Sequence, residues 1–141
     1  MSDARSDLAD FLQQQSGEPC SLPEDADVFD RLGLDGDDAF EFMDRFVARF
    51  AVDTSKYRWY FHHGEEGWNI GGLVFPPPYR RVERAPITPR LLVEAIETKH
   101  WPLAYPEHAL PKVRWDVRLN QLLIVLVLIP LALGGWRFWV R

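Results

Sequence analysis

The sequence is poor in the residues that most small enzymes and metal proteins rely on. A single cysteine in 141 residues, Cys20, excludes an internal disulfide and a thiolate cluster around a metal. Cys20 also lies in an acidic stretch, which raises a thiol pKa and makes it a poor nucleophile. Basic charge is the minority sign: 16 Lys and Arg stand against 21 Asp and Glu, for a net charge of −5 and a pI near 5.3, so no nucleic acid partner is expected. Residues 1–15 lack the apolar core of a signal peptide, which places most of the chain in a reducing cytoplasm. At 16.4 kDa there is no room for a two-domain enzyme. No Ser or Cys nucleophile is tied by spacing to a base, so no catalytic residue, cofactor or metal is assigned, and the chain reads as a non-enzyme.

What is present is unevenly distributed. Residues 1–50 hold thirteen acids and four arginines, a charge of −9, whereas the remaining 91 residues hold eight acids and twelve bases, a charge of +4. Apolar content is just as uneven, because residues 122–136 run for fifteen positions without a polar side chain. One end is acidic, and the other is cationic and apolar.

Between these ends the periodicity is helical. Ser2 can cap a short helix with Ala4, Leu8, Phe11 and Leu12 on one face, ending near Gln15 before Gly17 and Pro19. Residues 16–33 read as a long loop tied down by Val28, Phe29 and Leu32. Asp35 can cap a second helix whose positions Ala39, Phe40, Phe42, Met43, Phe46, Val47 and Phe50 form a wide buried face. Thr88-Pro89 starts a last soluble helix, with Leu91, Leu92, Ala95 and Ile96 inward and Pro102 as its stop. Residues 102–116 read as a linker.

The segment around 54–80 breaks the helical pattern. Tyr57, Trp59, Tyr60 and Phe61 precede His62-His63-Gly64-Glu65-Glu66-Gly67, and Ile70-Gly71-Gly72-Leu73-Val74-Phe75 precedes three prolines, which suits an irregular segment or a hairpin. His62, His63, Glu65 and Glu66 carry enough donors for a divalent metal, but neighbours in an extended chain point to opposite faces, so a polar turn is expected instead. The aromatics are expected to pack into the core rather than stack a ligand. Gly71-Gly72 lacks the spacing of a phosphate loop.

The run Leu32-Gly33-Leu34-Asp35-Gly36-Asp37-Asp38-Ala39-Phe40-Glu41-Phe42-Met43 through Phe50 resembles the signature of acyl carrier proteins. The order of an acidic first helix, a long loop, a signature helix and a last helix is similar over residues 3–101, allowing an insertion at about 54–80. The segment Tyr57-Arg58-Trp59-Tyr60-Phe61-His62-His63-Gly64 also resembles an insertion in an uncharacterised bacterial branch of acyl-carrier-like proteins. The resemblance implies a mainly α, carrier-like helical domain over residues 1–101. It breaks at Gly36, where a carrier has the serine that holds its phosphopantetheine arm; glycine has no hydroxyl to modify. What the resemblance leaves is docking of a basic protein partner by an acidic helix face, here Asp35, Asp37, Asp38, Glu41 and Asp44.

Residues 119–140 span about 33 Å as a helix at ~1.5 Å per residue, enough to cross a hydrocarbon core. Arg114, Trp115 and Arg118 at one end and Trp136, Arg137 and Trp139 at the other, helped by Lys112 and Arg141, would be the interfacial anchors. The expectation is a single-pass protein of a bacterial cytoplasmic membrane, held in the bilayer through residues 117–140 of an anchor at 117–141, with its N-terminal domain in the cytoplasm. Such a chain would be a tethered adaptor. The alternatives are an accessory to lipid enzymology with a ligand or metal site in the aromatic/His insertion, and a purely structural membrane protein.

Overall fold

The structure is a computed structural model that describes residues 3–17 and 22–139, with side chains as far as Ala132. Ser2, Cys20 and Arg141 lie outside the described residues. The chain is mainly helical: α1 (Ala4–Ser16), α2 (Val28–Leu32), α3 (Gly36–Phe50), α4 (Pro89–Thr98) and α5 (Trp115–Trp139), with short 3₁₀ turns at Trp59–Phe61, Gly71–Leu73 and Pro78–Arg80. It forms two compact units, one of residues 1–66 and 82–108, the other of residues 67–81 and 109–141.

In the first unit the apolar faces of α1, α2, α3 and α4 close on one core. Phe11 is its hub, meeting Phe42, Phe46 and Phe50 edge to face at 5.2, 5.9 and 5.6 Å, and Phe29 meets Phe42 at 5.5 Å. Rings at these separations add to the burial of their area. Val28, Phe29, Ala39, Phe46, Leu92 and Ala95 are fully buried, so the faces expected from periodicity are the faces used. Phe40 departs from that pattern. It remains partly exposed and lies edge-on to His63 at 4.7 Å.

The helix ends show where local chemistry was misjudged. Asp3, rather than Ser2, occupies the N-cap of α1, its carboxylate accepting from the Arg5 amide, and Gly17 closes the helix in the left-handed conformation. The expected loop over residues 16–33 contains α2, because Asp27 accepts from the Phe29 amide at 3.0 Å and Gly33 at φ +66° ends the helix after its five residues. Thr88 caps α4 through Oγ1 and the Leu91 amide at 3.2 Å, with Pro89 first in the helix, as expected. Pro102 does not end α4. Lys99 turns left-handed first, its Nζ donates to the Phe50 carbonyl at 2.9 Å, and an isolated bridge between Asp53 and His100 fastens the chain after α3 to the chain after α4.

No strand exists among the described residues, so the segment after Asp53 is irregular and the hairpin is absent. It is also divided, with residues 54–66 in the first unit and 67–81 in the second. Residues 102–116 are more than a connection: Leu103 and Tyr105 pack on the first core, and α5 already begins at Trp115.

The second unit is built on α5. Its 25 residues extend about 37 Å at ~1.5 Å per residue and continue through Pro130. Trp115–Ala132 has a mean hydropathy of 1.6 with 6% of the stretch buried, which makes α5 the one described helix long and apolar enough to cross a membrane. The turn at Gly71–Leu73 packs against its beginning.

Candidate functional site

The acidic face of α3 is the first candidate. Asp35, Asp37, Asp38, Glu41 and Asp44 are all exposed, on a helix whose opposite side is buried through Ala39, Phe42, Met43 and Phe46. Among the described residues Glu41 pairs with Arg45 at 3.0 Å, while Asp37, Asp38 and Asp44 have no ion pair. Asp37 and Asp38 sit in the first turn, where the helix dipole favours negative charge.

Asp35 is at the cap position but does not cap with its side chain. Its carboxylate instead accepts from the Gly64 amide at 2.7 Å, and its main-chain oxygen receives the amides of Asp38 and Ala39. It therefore joins the helix start to the His-His-Gly turn. Gly36 is buried at φ +48°, and a β-carbon there would collide with the Glu66 side chain. A glutamate thus lies across the start of α3.

The histidines expected in a polar turn are buried. His62 Nδ1 faces the Ala85 carbonyl at 2.7 Å and must donate to it, which leaves Nε2 to accept the Tyr105 hydroxyl proton at 2.7 Å. Tyr105 Oη in turn accepts from the Trp101 indole at 2.9 Å and the Arg58 amide at 3.2 Å. Every donor in this chain is used once, and the neutral ring it requires is stacked parallel on Tyr57 at 5.1 Å. Burial drives the His62 pKa down to about 4 and raises that of the Tyr57 hydroxyl.

His63 packs against Phe29, Phe40 and Trp59, donates through Nδ1 to the Gly64 carbonyl at 2.8 Å, and keeps Nε2 buried without a partner. Its pKa is also lowered by burial. Three of the four ring nitrogens are committed, and no group of three metal-binding side chains forms among the described residues. Arg84 holds this layer from below through Asp27 at 3.1 Å, Asp30 at 2.6 Å and the His62 carbonyl at 2.9 Å.

Sequence reasoning missed a groove of about 290 Å³ in the first unit, floored by Leu8, Leu12, Leu22 and Val93 and rimmed by Arg5, Glu24 and Arg90. Arg5 and Glu24 form an ion pair at its edge. Its only signal in the sequence is the small Ala9 on the α1 face.

At the start of α5, Trp115 is half exposed and Arg118 lies over its ring at 5.3 Å, as suits interfacial anchors. Arg114, another of the expected anchors, is also paired with a carboxylate. Its guanidinium grips the buried Asp116 carboxylate through Nε at 2.9 Å and an Nη at 2.6 Å, while Asn69 donates to the same carboxylate at 3.0 Å. Asn120 completes this seam: its Oδ1 accepts the Gly71 amide at 2.7 Å and its Nδ2 donates to Asn69 Oδ1 at 2.9 Å. Gly71 comes so close to the Asp116 carbonyl that no β-carbon fits, and a β-carbon at Gly72 would crowd the Asn69 side chain. Trp136, Arg137 and Trp139 belong to the end of α5, and their side chains lie outside the described part.

No family model, curated protein or solved structure matches this chain.

Proposed function

We propose that this protein is a membrane-tethered, non-catalytic adaptor related to acyl carrier proteins, docking a basic protein partner through the acidic face of α3. The observation that carries the reading is the exposure of five carboxylates on one helix whose start has no serine and is covered by Glu66. Such a face accelerates encounter with a positive surface, and salt screens it. The helix order from α1 to α4 supports the kinship with carriers. The apolar α5 supports the tether, and Lys112 and Arg118 at its start favour a cytoplasmic first unit at a bacterial inner membrane.

Replacing Asp37, Asp38 and Glu41 by lysine tests the docking face. Exposed substitutions cost about half a kcal/mol or less each, so circular dichroism of the triple variant should be that of the parent. Co-purification of partners from detergent extracts should collapse and lose its salt dependence. A folded triple variant that recovers the same partners at low and high salt would reject this face.

A further inference from the structure

We infer that the loop at residues 68–75 is a second membrane-embedded element, inserting Trp68, Ile70, Leu73 and Val74 into the headgroup boundary of an anionic bilayer beside the start of α5. The inference rests on reading α5 as a span, and adds a lipid contact that a single-pass tether does not require.

Four observations within the second unit converge on it. Trp68 is 94% exposed, Leu73 78%, Val74 64% and Ile70 53%, a density of large apolar side chains in one short loop that water disfavours. The loop's depth is set by hydrogen bonds: Gly71 to Asn120 and Asn69 to Asp116 hold it level with the first turns of α5, just before the apolar run begins at Leu122. At that level a bilayer is interfacial, where tryptophan is favoured, and Trp115 on α5 lies 6.4 Å from Phe75 of the loop.

The unit's charge matches an anionic surface. Among its described side chains Arg80, Arg81, Lys112 and Arg118 accompany the loop, and its one acid, Asp116, is bound by Arg114. Finally, the polar groups that a dry environment would penalise are turned inward onto each other. The Asn69, Asp116 and Asn120 side chains bond one another or the Gly71 and Gly72 amides, leaving an apolar outside around a polar inside.

The test uses the full chain with Cys20→Ser, reconstituted in vesicles of phosphatidylcholine and phosphatidylglycerol. An environment-sensitive fluorophore is placed singly through Trp68→Cys, Leu73→Cys, Val127→Cys in the middle of α5, and Glu94→Cys on α4. Labels at 68 and 73 should emit to the blue, resist iodide, and be quenched best by a nitroxide near the headgroup. The label at 127 should be quenched best by a nitroxide deep in the acyl chains, and that at 94 by iodide alone. Iodide access at 68 and 73 with a lipid-quenched label at 127 would overturn the loop insertion and leave the span standing. Shielding at 68 and 73 without nitroxide quenching would mean that protein covers the loop, and would also overturn it. A label at 127 open to iodide would remove the span and this inference together.

Discussion

The two units are organised in opposite senses. The first carries twenty acids and nine bases, −11, around a core of phenylalanine and leucine; the second carries seven bases and one acid, +6, with leucine, valine and isoleucine outward and asparagine and aspartate inward. Leu122, residues 124–129 and Leu131 of α5 are largely exposed, as are Trp68 and Leu73, while Asp116 is 2% exposed. A unit closed by burying apolar area is at home in water. One closed by pairing its polar groups is suited to a solvent that cannot satisfy them. The same chain therefore contains both solutions, one strongly acidic and the other cationic.

The comparison can be broken most decisively by separating the units. The full chain is expected to sediment with membranes and to resist carbonate, whereas a chain ending at Pro111, without α5, should be released by that wash. Recovery of the full chain in the soluble fraction without detergent would show that α5 is covered by protein. Next in size is Phe11→Ala. Removing the hub ring should destabilise the first unit by about 3–5 kcal/mol, measured by urea unfolding in detergent, while the protein still fractionates with membranes. Loss of both properties would mean that the units do not stand apart energetically.

A smaller effect separates them by pH. Burial holds His62 at about 4 against 6.5 for a free imidazole, so between these values the unfolded chain takes up a proton that the folded chain refuses. Stability should accordingly be complete above about pH 6.5 and fall as pH drops toward 4. The whole contribution of His62 is about 3 kcal/mol at ~1.4 kcal/mol per tenfold, with His63 acting in the same direction. The second unit contains no histidine and should not share this loss. Urea midpoints for the first unit that do not move between pH 7 and 4.5 would show that the His62–Tyr105 chain opens to solvent.

The smallest expected effect is at Gly36. The parent should gain no mass on incubation with a phosphopantetheinyl transferase and coenzyme A. Gly36→Ser supplies the hydroxyl but meets Glu66 and a positive φ, and should cost about 1 kcal/mol, seen as a lower melting temperature. Relief of that loss by Glu66→Gly would place the cost in the collision. A parent that acquires the arm would overturn the reading of this helix as a docking face alone.

The buried faces of α1, α3 and α4 were legible because helical periodicity is a local property: Leu8, Phe11 and Leu12, or Phe42, Phe46 and Phe50, recur at the spacing that brings them to one side. The apolar run of α5 was legible for the same reason, since a stretch without polar side chains needs no partner to be recognised. The Thr88-Pro89 start was equally plain, as cap and first-turn proline act within one turn of chain. The four exposed acids within α3, Asp37, Asp38, Glu41 and Asp44, follow from the same periodicity, as the complement of its buried side.

Elsewhere, residues distant in sequence decided the outcome. Asp35 looks like a cap until Gly64, 29 positions away, takes its carboxylate, and a His-His pair looks like a polar turn until Ala85 and Tyr105 occupy both nitrogens of the first ring. Gly71 has no local meaning; the Asp116 carbonyl, brought by α5, excludes a side chain there. Arg114, read from the sequence only as an anchor, is also the partner of Asp116. Hydrophobic pattern and capping act over a few residues and can be read in order along the chain. The pairing of a buried polar group depends on which distant donor or acceptor the fold delivers, and that is settled only when the helices pack.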